Sequence, residues 1–376
     1  MKVTILGYYG VPNIGDEAIL AGMLQKLRPA FPDASIKVSA RDEAYVRRMH
    51  DVETFPLDQM RSFVAVASKS DIILVGGGGL LFDTPFQVLP FWLGRIVAGR
   101  SVGTPSVLYS VGVGPIEKRR SRRYLRLGLR YADAISVRDE YSAELLRKCG
   151  VKMEVSILPD PALLLEPAAE SRAKEILREE GVPEDGGLKI GVSLRYWQAF
   201  DESQQKRFAS SIRNALEKTA AKSDVSFVMI PFQLPPALGD VGLMEEIAAG
   251  SACEEDIHIV RGSYTPAEVK ALLGQMDLMI GMRLHSLIFS LTMGVPSIAM
   301  SYASKVASTM ESFGFGDYCL PLNAVTGDKI VSLTTKAIER KDYSERLLEI
   351  CGRITKEVDG LHDRMLARLG DLAHSR

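Results

Sequence analysis

The sequence is poor in cysteine, in net charge and in repeated or low-complexity segments. Its 376 residues include four cysteines, none in a C-x-x-C pair, so neither a disulfide framework nor a zinc knuckle is expected. Lysine plus arginine total 46 and aspartate plus glutamate total 47, which argues against a nucleic-acid-binding surface. With 46% hydrophobic residues, the chain does not have a disordered composition either. We therefore predict a folded protein with reduced thiols, and the length suggests two domains.

Uninterrupted apolar runs are also lacking. The segment 278–300 is mostly apolar and about long enough to span a bilayer, but Arg283, His285 and Pro296 interrupt it. We therefore predict a buried strand–helix–strand unit at this position. The first residues show a strand pattern, without the apolar stretch of a secretory signal. The expected location is the cytoplasm.

What the sequence does contain is a regular alternation of short β-branched runs and helical patterns. This alternation is typical of parallel sheets that are covered by helices. Strands are predicted at residues 3–7, 35–40, 71–76, 106–111, 134–137, 154–158, 189–195, 225–231, 256–260, 278–281 and 296–301. The residues from 343 onward show a helical pattern and no further strand.

A break in the alternation indicates a domain junction. Residues 165–188 are rich in proline and glycine and include Pro183, Gly186 and Gly187. We predict an α/β fold with two Rossmann-like domains that face each other across a cleft, followed by a C-terminal helix. The predicted segments are 1–166, 188–342 and 343–376. This organisation resembles the GT-B architecture, and because ligands bind beyond the carboxyl ends of parallel strands, the site is expected in the cleft.

A glycine-containing loop at 7–17 joins the first predicted strand to the first helix. Its spacing is not G-x-G-x-x-G, so a dinucleotide site is not expected. Asp16 lies at the end of this loop. It either caps the helix or acts as a carboxylate on a substrate hydroxyl.

Glycines end two successive strands, in GGGG at 76–79 and in SVGVGP at 110–115. Consecutive glycines are costly in backbone entropy, so they are expected to have a purpose. Either their bare amides approach a sugar or a phosphate, or they allow a close contact between helix and sheet. Gly77, Gly78 and Gly112 are the candidates.

Two arginines follow predicted strands. Arg138 and Arg195 stand where a guanidinium can bind a carboxylate or a phosphate with two parallel hydrogen bonds. Arg138 has an alternative partner in the adjacent Asp139. Trp197, close to Arg195, offers a flat face to a sugar ring or is an ordinary buried residue.

The most specific motif is GMRLHS at 281–286, where a strand gives way to a helix. A helix N-terminus presents unpaired amides to an anion, and Arg283 adds a positive charge. Histidine has an ordinary pKa near neutral pH, which suits His285 to proton transfer. The alternative is a hydrogen-bonded core histidine. Lys305, after the next strand, is either a surface charge or a phosphate ligand.

A strongly basic segment lies at 118–130, where seven of thirteen residues are basic and none is acidic. On a helix, Tyr124, Leu125 and Leu129 are predicted to share one face, with the arginines on the other. This pattern indicates an interfacial helix on anionic lipid or a diphosphate-binding face. The alternative is a solvated outer helix.

With these motifs, the chain resembles the polysaccharide pyruvyl transferase family, particularly members that pyruvylate secondary cell-wall polymers of Gram-positive bacteria. The resemblance covers nearly the whole length of the chain. It rests on GYYGVPNIGDEAIL at 7–20, GGGGLLFD at 76–83, SVGVGP at 110–115, SVRDE at 136–140, GVSLR at 191–195 and GMRLHSLIFSLTMGVPSIAMSYASK at 281–305.

The resemblance implies a GT-B-like fold and phosphoenolpyruvate as donor substrate, with no resident cofactor and no metal. The implied product is a pyruvate ketal on two hydroxyls of one sugar, typically O4 and O6 of N-acetylmannosamine in a lipid-linked precursor. Phosphoenolpyruvate is implied to bind to Arg283, Lys305, Arg138, Arg195 and Ser286. His285 and Asp16 are the predicted catalytic residues, and the predicted acceptor loops contain Asn13, Gly77, Gly78 and Gly112.

Two alternatives remain open. The first is a GT-B glycosyltransferase that uses a nucleotide sugar, which the fold alone would favour. The second is a non-enzymatic scaffold that docks on a lipid surface through residues 118–130. The predicted partners of the transferase are phosphoenolpyruvate, a lipid-linked amino sugar and, at its periphery, the anionic inner face of the cell membrane.

Overall fold

Buried β-branched and leucine-rich segments form two separate parallel sheets in the computed structural model, which describes residues 1–184, 187–234 and 239–374. The chain divides into two compact units. The first comprises Met1–Val11, Asp16–Leu165 and Lys356–Arg376, and the second comprises Pro12–Gly15 and Glu166–Thr355. Gly186, in the predicted junction, lies outside the described residues.

The first unit contains a sheet with the strand order β3-β2-β1-β4-β6-β7-β8, in which β5 pairs only with β6 and all pairs are parallel. Its strands are β1 (Lys2–Leu6), β2 (Ser35–Ala40), β3 (Glu53–Pro56), β4 (Ile72–Gly76), β5 (Gly79–Leu81), β6 (Ser106–Val113), β7 (Ala134–Val137) and β8 (Val155–Ile157). Its helices are α1 (Ile14–Ala30, whose first two residues count with the second unit), α2 (Glu43–His50), α3 (Met60–Ala67), α4 (Val88–Ser101), α5 (Arg119–Gly128) and α6 (Glu140–Lys148).

The second unit contains a parallel sheet with the order β11-β10-β9-β12-β13-β14. Its strands are β9 (Leu188–Ser193), β10 (Val225–Met229), β11 (Ile257–Ile259), β12 (Leu278–Gly281), β13 (Ser297–Ser301) and β14 (Cys319–Pro321). Its helices are α7 (Glu170–Glu179), α8 (Glu202–Ala220), α9 (Asp240–Ala248), α10 (Pro266–Leu273), α11 (Leu284–Thr292), α12 (Ser304–Ser312) and α13 (Gly327–Glu339). The last helix, α14 (Tyr343–His374), contributes its residues up to 355 to this unit and the rest to the first.

The predicted α/β fold class is confirmed. The apolar segment 278–300 forms β12, α11 and β13, as the interrupting polar residues predicted. The sequence patterns did not reveal β3, β5 and β14, in which a proline or a glycine occupies one end of a strand of only three or four residues. Within the residues that the structure describes, no helix has the length and apolar character needed to cross a membrane.

The glycine-rich ends of β4 and β6 are adjacent. The Gly112 amide donates to the Gly78 carbonyl at 2.8 Å, and the Gly114 amide donates to the Leu81 carbonyl at 2.7 Å. Beyond them, the buried Asp83 accepts hydrogen bonds from the amides of Glu117 and Lys118, at 3.0 and 2.8 Å. α5 has no side-chain cap of its own, and Asp83 instead holds in place the two residues that lead into this basic helix.

One prediction for the basic segment is wrong. Leu125 and Leu129 are buried beneath it, whereas Tyr124 is exposed, with its ring edge-on against Phe86 at 5.4 Å between centroids. Consecutive helical residues are rotated by about 100°, so Tyr124 points away from the face that buries Leu125. The burial of this helix therefore depends on the two leucines.

Replacing Asp83 with alanine should lower the free energy of unfolding by about 1–3 kcal/mol at pH 7, because the amides of Glu117 and Lys118 lose their acceptor. Burial acts to raise the pKa of Asp83, but the amide hydrogen bonds from Lys118 and Glu117 hold it below its ordinary value. A lowered pKa stabilises the fold above the pKa of the unfolded chain, about 4, and this contribution is lost as the pH falls through the folded pKa.

In urea unfolding, the difference between wild type and Asp83→Ala should therefore shrink as the pH is lowered below about 4. Asp33→Ala, at an exposed aspartate of the same unit, is the control and should change little. Equal stability of wild type and Asp83→Ala at pH 7 would show that Asp83 does not stabilise α5.

Candidate functional site

The carboxyl edge of the second sheet collects the polar side chains that the sequence singled out. The strands β9, β12 and β13 are parallel neighbours, so the residues that follow them meet at one edge. Arg195 follows β9, Arg283 and His285 follow β12, and Lys305 follows β13. Within the second unit, the structure thus brings together four of the predicted site residues.

Arg195 and Lys305 lie beside the aromatic rings of Trp197 and Tyr302. We call these four residues the aromatic–basic cluster. The two rings lie 4.7 Å apart between centroids. The Arg195 guanidinium carbon lies 5.4 Å from the Trp197 ring and 5.1 Å from the Tyr302 ring. The Lys305 Nζ lies 5.6 Å from the Tyr302 ring. Arg195 and Lys305 form no ion pair with any carboxylate of the described residues, so the cluster carries unbalanced positive charge.

Tyr302 responds to this positive charge. Burial acts to raise the pKa of its hydroxyl, but the charges of Lys305 and Arg195 outweigh burial and lower the pKa below the ordinary value of tyrosine. A field that stabilises a phenolate also stabilises a bound anion. The cluster is therefore suited to a carboxylate or a phosphate.

Arg283 is bound differently, because it forms a buried pair with Asp240. Its Nε donates to Asp240 Oδ2 at 3.0 Å, its Nη2 donates to Asp240 Oδ1, and Nη2 also donates to Gln233 Oε1 at 3.0 Å. Asp240 is fully buried, and its Oδ2 also accepts from the amides of Phe232 and Gln233. Arg283 thus holds the loop after β10 to the turn after β12, with Nη1 as its remaining donor group.

Two helices begin at this edge without a side-chain cap. α11 follows β12 with Arg283 as its N-cap residue, and α12 follows β13 with Ala303 as its N-cap residue. Neither residue makes a side-chain capping hydrogen bond. The first amides of both helices therefore remain suited to anion binding next to the aromatic–basic cluster.

His285 is the second residue of α11, half-buried, with its ring against Gly15. A Cβ atom at Gly15 would lie 2.3 Å from His285 Nδ1, so only glycine allows this approach. The segment 12–15 is held there by backbone hydrogen bonds, from the Ile14 amide to the Phe232 carbonyl at 2.9 Å and from the Leu234 amide to the Pro12 carbonyl at 3.0 Å. Asn13 Oδ1 accepts from the Gly15 amide at 3.1 Å.

Ser286 has a structural position. It is fully buried, and its hydroxyl donates to the Arg283 carbonyl at 2.7 Å. Its oxygen is also within 2.9 Å of where a Cβ at Gly281 would lie. The side chain predicted to bind phosphoenolpyruvate thus shapes the first turn of α11.

Arg138 belongs to the first unit. Its Nε lies 3.3 Å from Asp139 Oδ2, which is the alternative pair considered from the sequence. Asp139 also caps α6 by accepting from the Ser142 amide at 2.7 Å. The guanidinium lies against Gly112, where a Cβ atom would come within 2.8 Å of it. Gly112 therefore makes room for Arg138.

Asp16, also in the first unit, is not the cap of α1. The helix begins at Ile14, so Asp16 lies in its first turn, and its Oδ1 is 2.9 Å from where a Cβ at Gly78 would lie. Gly77 and Gly78 both have φ +78°, and a Cβ at Gly77 would lie 2.2 Å from Ile19. The close helix–sheet contact considered from the sequence is therefore present at Gly77.

The sequence analysis did not predict three residues that belong to the site: Asp240, Gln233 and Tyr302. Asp240 and Gln233 have no local motif, since their role depends on Arg283 about fifty residues away. Tyr302 stands in the quoted SYASK segment, and its place after β13 was the signal that could have identified it. A buried pair between His50 and Glu17, at 2.6 Å, likewise has no sequence signature.

Comparison with known proteins identifies the family of the chain. The family model for polysaccharide pyruvyl transferase matches residues 13–304. The chain belongs to the polysaccharide pyruvyl transferase family. Membership indicates a transferase with a pyruvyl transfer role in polysaccharide biosynthesis.

Individual relatives are distant but cover nearly the whole chain. The amylovoran biosynthesis protein AmsJ of Erwinia amylovora is 20% identical over 403 residues, with 92% of this chain and 94% of AmsJ covered. A glycosyltransferase from Rickettsia africae has a TM-score of 0.64 at 11% identity, covering 99% and 98% of the two chains. The UDP-GlcNAc 2-epimerase of Neisseria meningitidis has a TM-score of 0.62 at 14% identity, covering 95% and 99%. These structures show a GT-B-like fold, as predicted.

The buried pair leads to a prediction on stability. Arg283→Ala leaves the Asp240 carboxylate buried without its cation, so the free energy of unfolding should fall by about 3–5 kcal/mol. The double variant Arg283→Met with Asp240→Asn should recover part of this loss, because it removes both charges while the amide oxygen can still accept from Phe232 and Gln233. Urea unfolding measures both effects.

Lys305→Ala is the matched control, since it removes a half-buried charge that has no carboxylate partner. It should change the free energy of unfolding by no more than about 0.5 kcal/mol. If Arg283→Ala were as stable as Lys305→Ala, Arg283 would not be the group that neutralises Asp240.

Proposed function

We propose that this protein transfers pyruvate from phosphoenolpyruvate to two hydroxyls of one sugar, with release of phosphate. The sugar is N-acetylmannosamine in a lipid-linked polysaccharide precursor, ketalised at O4 and O6. The observation that carries the proposal is the unbalanced positive charge of Arg195 and Lys305, beside His285 and two uncapped helix N-termini. Membership in the polysaccharide pyruvyl transferase family supports it.

Phosphoenolpyruvate suits the chemistry of this edge because it carries a phosphate and a carboxylate. Arg195 and Lys305 supply charge that no carboxylate of the described residues neutralises, and helix amides add hydrogen-bond donors. Arg283 contributes through its remaining Nη1 donor group and by holding the turn. His285 stands at the start of α11, at the same edge of the sheet, with its ring against Gly15.

The reaction requires one proton donor and an acceptor sugar with two hydroxyls. His285 protonates C3 of phosphoenolpyruvate, and the first sugar hydroxyl forms a bond to C2 and loses its proton. The C2–O bond to phosphate then breaks, and the second hydroxyl closes the ketal at C2. The two hydroxyl protons balance the proton gained by C3 and the one carried by the released phosphate. We assign the contact with the acceptor hydroxyls to Asp16.

A nucleotide-sugar glycosyltransferase is the competing reaction, since several structural relatives act on or bind such sugars. A half-buried aromatic–basic cluster whose cations pair with no carboxylate of the described residues favours a small dianion over a ribose, whose hydroxyls are typically held by an acidic residue. Incubation with phosphoenolpyruvate and with UDP-sugars, in parallel and with the same acceptor, separates the two reactions. Turnover with UDP-sugars alone would overturn the proposal.

Removing the proton donor should slow the chemical step. His285→Ala is expected to lower kcat by about 10²–10⁴-fold, the usual contribution of a general acid, with little change in thermal stability. Phosphate release from phosphoenolpyruvate gives kcat and KM, and thermal unfolding gives the stability. His258→Ala is the control, because His258 is also half-buried but lies on the edge strand β11.

A stable His285→Ala protein with normal turnover would refute the catalytic role of His285. A loss of donor affinity at unchanged kcat would make His285 a binding residue. Joint loss of stability and activity would instead identify it as a core residue.

Removing a cation of the aromatic–basic cluster should weaken donor binding. Lys305→Ala and Arg195→Ala are each expected to raise the KM for phosphoenolpyruvate by about 10- to 100-fold, because hydrogen bonds to charged groups contribute about 1.5–3 kcal/mol. Lys336→Ala is the matched control: its Nζ also stands over a tyrosine, 5.0 Å from the Tyr318 ring, but on α13. An unchanged KM in both cluster variants would remove the cluster from donor recognition.

A further inference from the structure

The basic helix α5 presents charge to which the proposed pyruvyl transfer assigns no role. All seven basic side chains of residues 118–130 are exposed. They are Lys118, Arg119, Arg120, Arg122, Arg123, Arg126 and Arg130. No ion pair joins any of them to a carboxylate of the described residues, and the only cation–π contact found for them is that of Arg120 with Phe86, at 4.2 Å. We call these seven residues the basic surface.

Other helices of the protein neutralise their surface charge locally. Lys148 pairs with Glu144 on α6, Lys174 with Glu170 on α7, and Lys206 with Glu202 on α8, each four residues apart. α5 has no acidic residue with which to make such a pair. Its cations therefore repel one another without compensation from their own helix.

The position of the charges is also unfavourable for the helix itself. Arg119 and Arg120 occupy the first turn of α5, where the positive end of the helix dipole disfavours cations. The nearest compensation is the Asp83 carboxylate, which is buried and already accepts two amide hydrogen bonds. Stability of the fold does not explain this arrangement, which points to a ligand outside the protein.

Apolar side chains accompany the basic surface. Tyr124, Leu127 and Tyr131 are 49%, 42% and 47% exposed, although large apolar side chains are usually buried. They are spaced by three and four residues, so they form a stripe on one side of the helical segment. Arg120 and Arg123 border this stripe. Tyrosine favours the boundary between water and lipid, where its ring is buried and its hydroxyl remains hydrated.

We propose that the basic surface and this stripe dock on an anionic lipid bilayer. The positive charges are spread along a helix about 15 Å long and do not converge on a pocket, which fits a plane of headgroups better than a single diphosphate. Because the whole chain has a formal net charge of -1, the attraction is local and orients the protein. Docking would give the protein access to a lipid-linked acceptor, a benefit that rests on the proposed function.

The test is sedimentation with vesicles of phosphatidylcholine alone and of phosphatidylcholine with phosphatidylglycerol. The wild-type protein should bind the anionic vesicles only, and binding should weaken as salt rises from 0.05 to about 0.5 M. The triple variant Arg119→Glu, Arg122→Glu and Arg126→Glu should lower the partition coefficient by about 100-fold or more. Circular dichroism checks its fold, and the corresponding Arg→Gln triple, expected to lose about ten-fold or more, replaces it if folding fails.

The matched control reverses Arg353, Arg364 and Arg368 to Glu. These arginines are exposed on α14 and give the same change in net charge. Control variant and wild type should bind alike. Equal loss in both triple variants would mean that net charge alone governs binding, and unchanged binding in the α5 variant would overturn the proposal.

Two further measurements separate the alternatives. Tyr124→Ser with Leu127→Ser should reduce vesicle binding by about ten-fold at high salt, where apolar contacts dominate. Displacement from vesicles by micromolar inorganic diphosphate would overturn bilayer docking in favour of a discrete diphosphate site. Vesicle binding needs no turnover, whereas phosphate release with a short soluble acceptor tests pyruvyl transfer. Failure of one proposal is therefore distinct from failure of the other.

Discussion

The buried pair between Arg283 and Asp240 is the interaction on which the edge of the second sheet depends. Two guanidinium nitrogens bind the two carboxylate oxygens, and the same carboxylate accepts from the amides of Phe232 and Gln233. The pair therefore ties the turn after β12 to the loop after β10. Since α11 begins at this turn, the orientation of His285 and of the first helix amides follows from it. Ser286 reinforces the same turn by donating to the Arg283 carbonyl.

This pair also explains why the cationic residues at the carboxyl edge of the second sheet have different roles. Arg283 is neutralised by a carboxylate and is mostly buried, so it shapes the site. Arg195 and Lys305 face aromatic rings, which attract cations without neutralising their charge. A cation held in place by a ring remains able to bind an anion. The lowered pKa of Tyr302 reflects the same unbalanced field.

Much of this arrangement follows from the sequence, because parallel strands place the residues that follow them at one edge. The alternation of strands and helices predicted the sheets, and Arg195, Arg283, His285 and Lys305 each stand after a strand. The sequence pattern does not reveal which residue pairs with each of these side chains in the fold. Asp240 lies 43 residues before Arg283, and nothing near it marks it as the counterion. Ser286 looked available because its burial depends on the packing of α11 against β12. Asp16 looked like a cap because the first turn of α1 begins two residues earlier than the loop suggested.

The segment 12–15 adds a constraint on how the protein can be divided. It lies near the start of the chain, between β1 and the body of α1, yet it belongs to the second unit, where Ile14 and Pro12 bond to the loop after β10. The converse holds for the last helix: it follows the second unit in the sequence, but its residues from 356 onward belong to the first unit. If the chain were cut near residue 166, the C-terminal fragment would contain His285 but lack the backbone of residues 12–15 that lies against it. The N-terminal fragment would lack the last turns of α14, which belong to the first unit. Neither unit is therefore one continuous stretch of chain: the first takes residues from both ends of the sequence, and the second takes residues 12–15 from near its start. Exchanging either unit between relatives would require transferring separate segments together.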